Sequence, residues 1–494
     1  MKDWTRSLLL DWKQRFTPFN AWLGELRNPA TLKADAIAGL TVALVLVPQS
    51  MAYAYLAGLP PHVGLYAAFL PVIIAAVFGS SRQLGTGPIA IGSLMSAAAL
   101  QPYAHLGMDA FVLYSAMLAI VAGVVQLSLG LFRLGVLVDF LSNPVIVGFT
   151  NAAALIIAGS QLPSLLGVSI NSGSFAHYYE YAYNLFGALD QIHLPTVLIG
   201  LFSLFSLTFL KKYAPQLPNV LITVAVTIVV SWLIGFEEKG GGVVGTIPQG
   251  LPSFTIPYVA MDLREWASML FNGFVIGLMG FVEAMSISKA MASQTRQRLS
   301  ANQELVGQGL AKIVSGLSQG YIVSGSFSRS AVNFAAGAVT GFSSVVTGLL
   351  VALTLLFLTP LLYHLPKATL AAVIIVAVIS LVKLAPVVHA WKVVRHDGMV
   401  AITTFIATLA FAPRLEQGIV TGILLSLGLF LYRTMQPNFV EVARGPDGTS
   451  CMIPMPTVKN LRETWQYSVL MVIFVRIPGI WKAKSSTVLR PSRI

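Results

Sequence analysis

The chain has 494 residues, of which 56% are hydrophobic and only 10% carry a charge. A soluble domain has about 25% charged residues, so this composition excludes a water-soluble globule. The net charge of +12 comes from 31 Lys and Arg against 19 Asp and Glu. These basic residues stand in short connections between apolar runs rather than on one face. This arrangement excludes a nucleic-acid-binding protein and indicates orientation in a membrane.

The first 36 residues precede the apolar runs and mix charged with aromatic side chains, as in Trp4, Arg6 and Trp12. They contain no short apolar core followed by a small-residue cleavage site, so we expect no signal peptide. We predict that residues 1–36 form an amphipathic segment on the cytoplasmic surface of the membrane.

Two sets of apolar runs follow, and each run is a candidate membrane-spanning segment. We predict the first set at 38–57, 63–79, 86–100, 111–132, 137–161, 194–211 and 218–236. After a Gly- and Pro-rich loop, we predict the second at 266–292, 304–320, 326–338, 342–363, 368–388, 397–412 and 415–434. With both termini in the cytoplasm, most of the short basic connections fall on the inner side.

Seven segments in each half is an odd number, so the two halves enter the membrane from opposite sides. We therefore predict an all-α polytopic membrane protein with 14 transmembrane segments in a 7+7 inverted repeat. The transmembrane domain is expected at residues 37–436, with one repeat at about 37–236 and the other at about 264–434. This architecture favours transport.

The sequence has no P-loop and no metal-ligand spacing among its histidines. Its single cysteine, Cys451, lies in the polar tail and cannot form an intrachain disulfide. We therefore expect neither an enzyme nor a protein with a cofactor.

The third segment of each half is too short to cross a core of about 30 Å as a plain helix, and each is interrupted by small or helix-breaking residues. The interruptions read Gly85-Thr86-Gly87-Pro88-Ile89-Ala90 and Ser324-Gly325-Ser326-Phe327-Ser328-Arg329-Ser330. Pro88 suits a first helical turn, and serine hydroxyls can cap free N–H groups. We predict that two helix N-termini face each other here and bind a small anion. The alternative is that Gly-Pro only allows close helix packing.

Four polar side chains can complete such a site. Arg329 lies inside a short span, which indicates an ion site or else a snorkelling or paired arginine. Glu283 lies near the centre of an apolar span, and a desolvated carboxyl holds protons more tightly. It therefore indicates proton coupling, or else a structural glutamate that fixes two helices. Gln49 and Tyr53 lie one helical turn apart, where both can reach a central ligand.

Three further charged residues lie in or beside the predicted segments. We interpret Asp139 as a cap or loop carboxylate. We expect Lys289 and Lys312 to snorkel or to pair with a neighbour.

Motifs across roughly residues 30–440 resemble those of the sulfate permease (SulP) family, whose relatives include pendrin and prestin. The motifs are Ala38-Gly39-Leu40-Thr41, Val47-Pro48-Gln49-Ser50-Met51-Ala52-Tyr53-Ala54, Leu59-Pro60-Pro61, Gly64-Leu65-Tyr66, Gly79-Ser80-Ser81-Arg82, Gly87-Pro88, Phe140-Leu141-Ser142-Asn143-Pro144-Val145, Gly148-Phe149, Asn302-Gln303-Glu304-Leu305, Ser326-Phe327-Ser328-Arg329-Ser330 and Leu415-Glu416-Gln417-Gly418-Ile419.

The resemblance implies a uracil-transporter-like fold, split into a core domain (segments 1–4 and 8–11) and a gate domain (segments 5–7 and 12–14). The anion then lies between segments 3 and 10, and the core moves against the gate like an elevator. The resemblance also implies that Glu283 matches a family carboxylate linked to proton coupling. Family positions around the anion fall on Gln49, Tyr53, Ile89, Ser328 and Arg329.

The expected site joins both interruptions and the first segment. Its substrate-binding residues are predicted to be Gln49, Tyr53, Gly87, Pro88, Ile89, Ala90, Ser326, Phe327, Ser328 and Arg329, with Glu283 as the proton-coupling residue.

We expect a secondary active transporter of a small inorganic anion, sulfate or bicarbonate, that works by proton symport or anion exchange. Two alternatives stay open: a passive channel or voltage-responsive anion-binding protein, and a nucleobase-type symporter of neutral solutes. The expected partners are the anion, a proton or counter-anion, membrane lipid and a second copy in a homodimer, without nucleic acid. The expected location is the bacterial inner membrane.

Residues 437–494 are too few for the cytoplasmic STAS domain that the resemblance implies. If the possible codons of this tail are read one base out of register, they can encode a sequence that resembles the first strand of a STAS domain. We hypothesise that this cytoplasmic tail is a truncated or frameshifted STAS remnant, which the coding sequence itself can test.

Overall fold

The computed structural model describes residues 17–135, 143–168, 178–214, 217–379, 381–393, 395–412, 414–435, 442–444 and 450–452. The chain divides into two compact units, Met1–Gly422 and Ile423–Ile494. In the second unit, β3 (Val442–Arg444) and β4 (Ser450–Met452) form an antiparallel pair in which Ala443 lies opposite Cys451.

Helices make up most of the described part of the first unit. Those of the first half are α1 (Asn20–Leu23), α2 (Pro29–Leu56), α3 (Pro61–Ala67), α4 (Leu70–Phe78), α5 (Ala90–Leu100), α6 (Met108–Leu131), α7 (Asn143–Ser160), α8 (Leu162–Leu166), α9 (Tyr178–Gly187), α10 (Leu194–Tyr213) and α11 (Asn219–Leu233). Those of the second half are α12 (Leu263–Thr295), α13 (Ala301–Leu317), α14 (Phe327–Ala335), α15 (Phe342–Leu353), α16 (Lys367–Ile379), α17 (Leu384–Val393), α18 (Arg395–Phe411) and α19 (Leu415–Met435), which runs on into the second unit. Two short strands, β1 (Gly85–Gly87) and β2 (Ser324–Ser326), precede α5 and α14.

Each of the fourteen predicted segments coincides with helix in the described part of the chain. Nine helical stretches there are long and apolar enough to cross a membrane. The other five segments correspond to the shorter helices α5, α11, α13, α14 and α18. The prediction of an all-α membrane fold is confirmed. The start of segment 5, with Asp139, lies outside the described residues.

The first long helix begins earlier than the sequence pattern predicts. Asn28 caps α2 by accepting a hydrogen bond from the Ala30 N–H at 3.0 Å, and Pro29 stands at the first helical position. Both are strong start signals, so the helix extends into the segment predicted to be separate. Of that segment, residues 1–16 lie outside the described part, and the domain boundaries at 36 and 436 stay predictions.

The helices pack in two groups. One contains α2 to α6 and α12 to α15, and the other contains α7, α10, α11, α16 and α18. Contacts between the halves recur when the halves are exchanged. For example, α6 packs on α13 as α15 packs on α4, and α7 packs on α18 as α16 packs on α10. A 7+7 inverted repeat with core and gate groups predicts this pairing.

Small residues allow the closest of these contacts. A Cβ at Gly309 of α13 would lie 2.6 Å from the Leu127 nitrogen and 2.9 Å from the Gly123 oxygen, both in α6. Because these are backbone atoms, they cannot rotate away as a side chain does. The α6–α13 contact therefore requires glycine at this position.

Replacing Gly309 by Val should separate α6 from α13 and destabilise the protein by about 1–3 kcal/mol. We expect the apparent melting temperature in detergent, measured by size-exclusion fluorescence, to fall by about 5 °C. The matched control is Gly428→Ala, since no atom lies within 4 Å of a Cβ there. Equal melting temperatures for the two variants would contradict the packing argument.

Candidate anion site

The two predicted interruptions meet in space. Strand β1 pairs antiparallel with β2, and this two-stranded ribbon places Gly85 opposite Ser326 and Gly87 opposite Ser324. Helix α5 begins just after β1, and α14 begins directly after β2. The structure thus joins residues 86–100 and 326–338 through backbone hydrogen bonds, and neither segment is a continuous helix.

At both helix N-termini, within the described residues, the N-cap side chain leaves the helix uncapped. Neither Ile89, which precedes α5, nor Ser326, which precedes α14, caps its helix through a side-chain hydrogen bond. The first N–H groups of a helix have no partner within the helix itself, and the helix dipole makes this end positive. The ribbon therefore brings together two positive, uncapped helix ends.

Two details of the sequence prediction are wrong. Pro88 does not lie in the first helical turn, because α5 begins at Ala90 and Ile89 precedes it in an extended conformation. The serine hydroxyls do not cap α14 either. Ser324 donates to the Gly280 carbonyl at 2.7 Å. Ser330 donates to the Ser326 carbonyl at 2.7 Å and accepts from the Gly85 N–H at 2.8 Å. These hydroxyls hold the ribbon instead of covering the helix end.

Arg329 lies in the first turn of α14 and is completely buried. Its Nη1 donates to the Gln49 side-chain oxygen at 3.2 Å, whereas Nε and Nη2 have no hydrogen-bond partner in the part of the chain that the structure describes. A Cβ at Gly87 would lie 3.4 Å from Nη2, so this nitrogen faces the ribbon. Buried donors without an acceptor are costly, and those of a charged group more so. The site therefore has strong hydrogen-bond donors that remain available to a ligand.

The remaining predicted polar residues surround this guanidinium. Gln49 and Tyr53, both buried on α2, lie one turn apart as predicted. The Tyr53 hydroxyl has no hydrogen-bond partner among the described residues. Glu283, on α12, is half-buried, and its charge interacts with that of Arg329. The structure thus brings Gln49, Tyr53, Glu283 and Arg329 together at one site.

The two sides of the site differ in exposure. On the β1 side, Gly87, Pro88, Ile89 and Ala90 are all buried. Across the ribbon, Ser326 is half-buried, and the side chains of Phe327 and Ser328 are exposed. The start of α14 is therefore the accessible side of the site.

The exposed Phe327 meets the other helix group. Its ring lies 5.4 Å from the Lys383 ammonium, in the connection between α16 and α17. Asn151 of α7 fixes this connection, because its side chain accepts from the Lys383 N–H at 2.8 Å and donates to the Lys383 carbonyl at 3.0 Å. One cation–π contact thus links the core group to the gate group beside the site.

The sequence argument missed Tyr321, which is fully buried just before β2. Its hydroxyl lies 3.0 Å from Ser93 Oγ, and Ser93 donates to the Ile89 carbonyl at 2.8 Å. Tyr321 therefore supports the start of α5 from the opposite interruption. The only sequence signal is a tyrosine shortly before a predicted break.

A model of the "Sulfate permease family" matches residues 32–404. This match covers well over half of the chain. The chain belongs to the sulfate permease family. Sulfate permeases similar to it include "Sulfate transporter 4.1, chloroplastic" of Arabidopsis thaliana, 34% identical over 96% of this chain and 68% of the relative. Another is the "Sodium-independent sulfate anion transporter" of Bos taurus, 35% identical over 91% of this chain and 78% of the relative.

Solved structures share the fold of this chain. The inward-facing murine Solute Carrier 26 family member A9 anion transporter has a TM-score of 0.81 and 25% identity, over 90% of this chain and 75% of that one. The transmembrane domain of the cyanobacterium bicarbonate transporter BicA has a TM-score of 0.70 and 22% identity, over 81% of this chain and 98% of that one. This sulfate permease is therefore a multi-pass membrane protein of an anion transporter family, not an enzyme.

Gly87 gives a direct test of the geometry around Arg329. Its φ of +146° strains any other residue, and a new methyl group would lie 3.4 Å from Arg329 Nη2 and from Leu46 Cδ1. We expect Gly87→Ala to raise the dissociation constant for sulfate about tenfold, measured from the shift in melting temperature with added sulfate.

The control for Gly87→Ala is Gly107→Ala. Gly107 also has a positive φ, +93°, but no atom lies within 4 Å of a Cβ there. Both variants share a backbone strain of about 1–3 kcal/mol, so both should melt earlier. Sulfate binding that falls equally in both would show that the Gly87 effect does not arise at Arg329.

Proposed function

We propose that this protein is a secondary active transporter of a small inorganic anion, with sulfate or bicarbonate as substrate. The observation that carries the proposal is Arg329, a fully buried guanidinium whose Nε and Nη2 find no hydrogen-bond partner among the described residues. An oxyanion offers the acceptors that these donors lack, and a charge-assisted hydrogen bond is stronger than a neutral one.

Two uncapped helix ends support an anion rather than a neutral solute. The N–H groups at the starts of α5 and α14 provide partial positive charge on both sides of the ribbon. A neutral nucleobase gains little from a buried cation beside two positive dipole ends. The proposed site is thus built for negative charge. Its proposed residues are Gln49, Tyr53, Gly87, Pro88, Ile89, Ala90, Ser326, Phe327, Ser328 and Arg329.

Glu283 supports coupling to protons. Its charge interacts with that of Arg329, yet among the described residues no hydrogen bond or ion pair holds its carboxylate. An ionised Glu283 opposes an incoming anion, and a protonated one does not. Protonation of Glu283 and binding of the anion therefore favour each other, which gives symport. If the proton stays in place, the same site performs anion exchange.

The two helix groups support an elevator-like movement. In this proposal α14 and its exposed Phe327 and Ser328 travel with the core group past the gate group, and the Phe327–Lys383 contact breaks. We further propose that the protein works as a homodimer in the bacterial inner membrane with both termini in the cytoplasm, since that orientation places most of the short basic loops inside.

Uptake of labelled sulfate into proteoliposomes tests the substrate class. We expect saturable uptake that excess sulfate or bicarbonate inhibits and that uracil does not. Replacing Arg329 by Met should lower uptake about 100-fold, because two or more charge-assisted hydrogen bonds are lost. The control is Arg264→Met, at an exposed position. Inhibition by uracil would instead favour a nucleobase symporter, and uptake that neither saturates nor concentrates the anion would favour a channel.

A pH gradient tests the coupling. We expect an acidic outside to stimulate uptake by the wild type, because protons then drive the anion inward. Glu283→Gln cannot release a proton, so it should lose this stimulation while retaining exchange of external labelled sulfate for internal unlabelled sulfate. The control is Glu238→Gln, at an exposed residue of the loop between the halves. Stimulation that survives in Glu283→Gln rejects this residue as the coupling group.

A further inference from the structure

A second buried basic side chain lies beside the ribbon. Lys312, on α13, is completely buried. Its ammonium donates to the Gln126 side-chain oxygen at 2.7 Å. Within the described part of the chain, no carboxylate oxygen lies at ion-pair distance from it. Of the two alternatives predicted for Lys312, the side chain does not snorkel to the membrane surface but pairs with a neighbour, and that hydrogen-bonded partner is neutral.

The carboxylate whose charge acts on Lys312 is already satisfied by hydrogen bonds. Glu304 lies two helical turns before Lys312 on the same face of α13, and its oxygens accept from Ser80 N at 2.9 Å and Ser81 N at 3.1 Å. They also accept from Ser80 Oγ and from the Gln308 side-chain nitrogen, each at 3.2 Å. With four donors, Glu304 is stabilised without Lys312 as a direct partner.

The position of Lys312 connects it to the anion site. Its Nζ lies 3.7 Å from the point where a Cβ would stand at Gly280, and Ser324 Oγ lies 3.1 Å from the same point. Ser324 belongs to β2 and pairs with Gly87 of β1. One turn earlier on α13, Gln308 donates to Thr86 Oγ1 at 2.9 Å. The ammonium thus lies beside the ribbon, close to the strand that leads into α14 and Arg329.

We propose that Lys312 determines the affinity and charge selectivity of the anion site as a second cation that acts from beside the ribbon without touching the substrate. This inference rests on the proposed function. A buried ammonium whose hydrogen-bond partner is neutral is costly, and an anion bound at the ribbon offsets that cost. By linkage, the charged Lys312 and the bound anion stabilise each other.

Electrostatics gives this role a signature that packing cannot produce. The energy of two charges scales with their product, so removing one cation affects a divalent anion twice as strongly in free energy as a monovalent one. The fold-change for sulfate should therefore be the square of that for bicarbonate. A residue that only supports the fold would weaken both anions by a similar factor.

The experiment measures dissociation constants of sulfate and bicarbonate for the purified full-length protein by titrating its melting temperature. We expect Lys312→Met to weaken bicarbonate about fivefold and sulfate about 25-fold. Lys312→Gln, a neutral variant whose amide can still bond Gln126, should show the same pair of changes and serves if the Met variant does not fold. Lys312→Arg keeps the charge, and Gln126→Leu keeps the lysine. Both should stay close to the wild type in the ratio of the two constants.

Three outcomes overturn the inference. Unchanged constants in the neutral variants show that Lys312 exerts no electrostatic effect, and equal weakening of both anions shows a packing role. In both cases the proposed function stands if the wild type binds the anions and the Arg329→Met variant does not. A wild type that binds neither anion overturns the proposed function and this inference with it.

Discussion

A buried guanidinium with unused donors is the feature on which the rest of the structure depends. Arg329 can reach the centre of the core group only because α14 begins there, and α14 begins there because β1 and β2 complete each other's backbone hydrogen bonds. Non-helical backbone at this depth is tolerated only when it is buried in protein or lines a cavity. The ribbon satisfies that condition.

Close approach explains why the ribbon is rich in glycine. A Cβ at Gly85 would lie 2.8 Å from Arg329 Cβ, and one at Gly325 would lie 2.7 Å from Leu84 Cδ1. Larger residues would separate the two interruptions or displace the arginine. The same glycines that break the helices in the sequence are thus the ones that allow the broken ends to meet.

The sequence predicts the helices well and the contacts poorly. Long apolar runs define the fourteen segments, and two short, interrupted runs at corresponding positions predict the site. Helix starts are less certain, because Pro88 precedes α5 instead of opening it, and Asn28 starts α2 before the apolar run begins. The hydrogen-bond partners of the hydroxyl groups are not predictable from the sequence, since several backbone groups lie near Ser324 and Ser330. Tyr321 and Lys312 become informative only when distant segments are brought together.

The contact between Phe327 and Lys383 has a further consequence. The aromatic ring is half exposed at the accessible end of the site, and the lysine is fixed to the other helix group by Asn151. Any sliding of one group past the other changes what surrounds this ring. A tryptophan at position 327 would therefore report each conformational cycle as a change in emission wavelength. The chain has a single cysteine, Cys451, far along the sequence from both residues. Once Cys451 is replaced, a cysteine introduced near position 327 can therefore carry a quencher without background labelling.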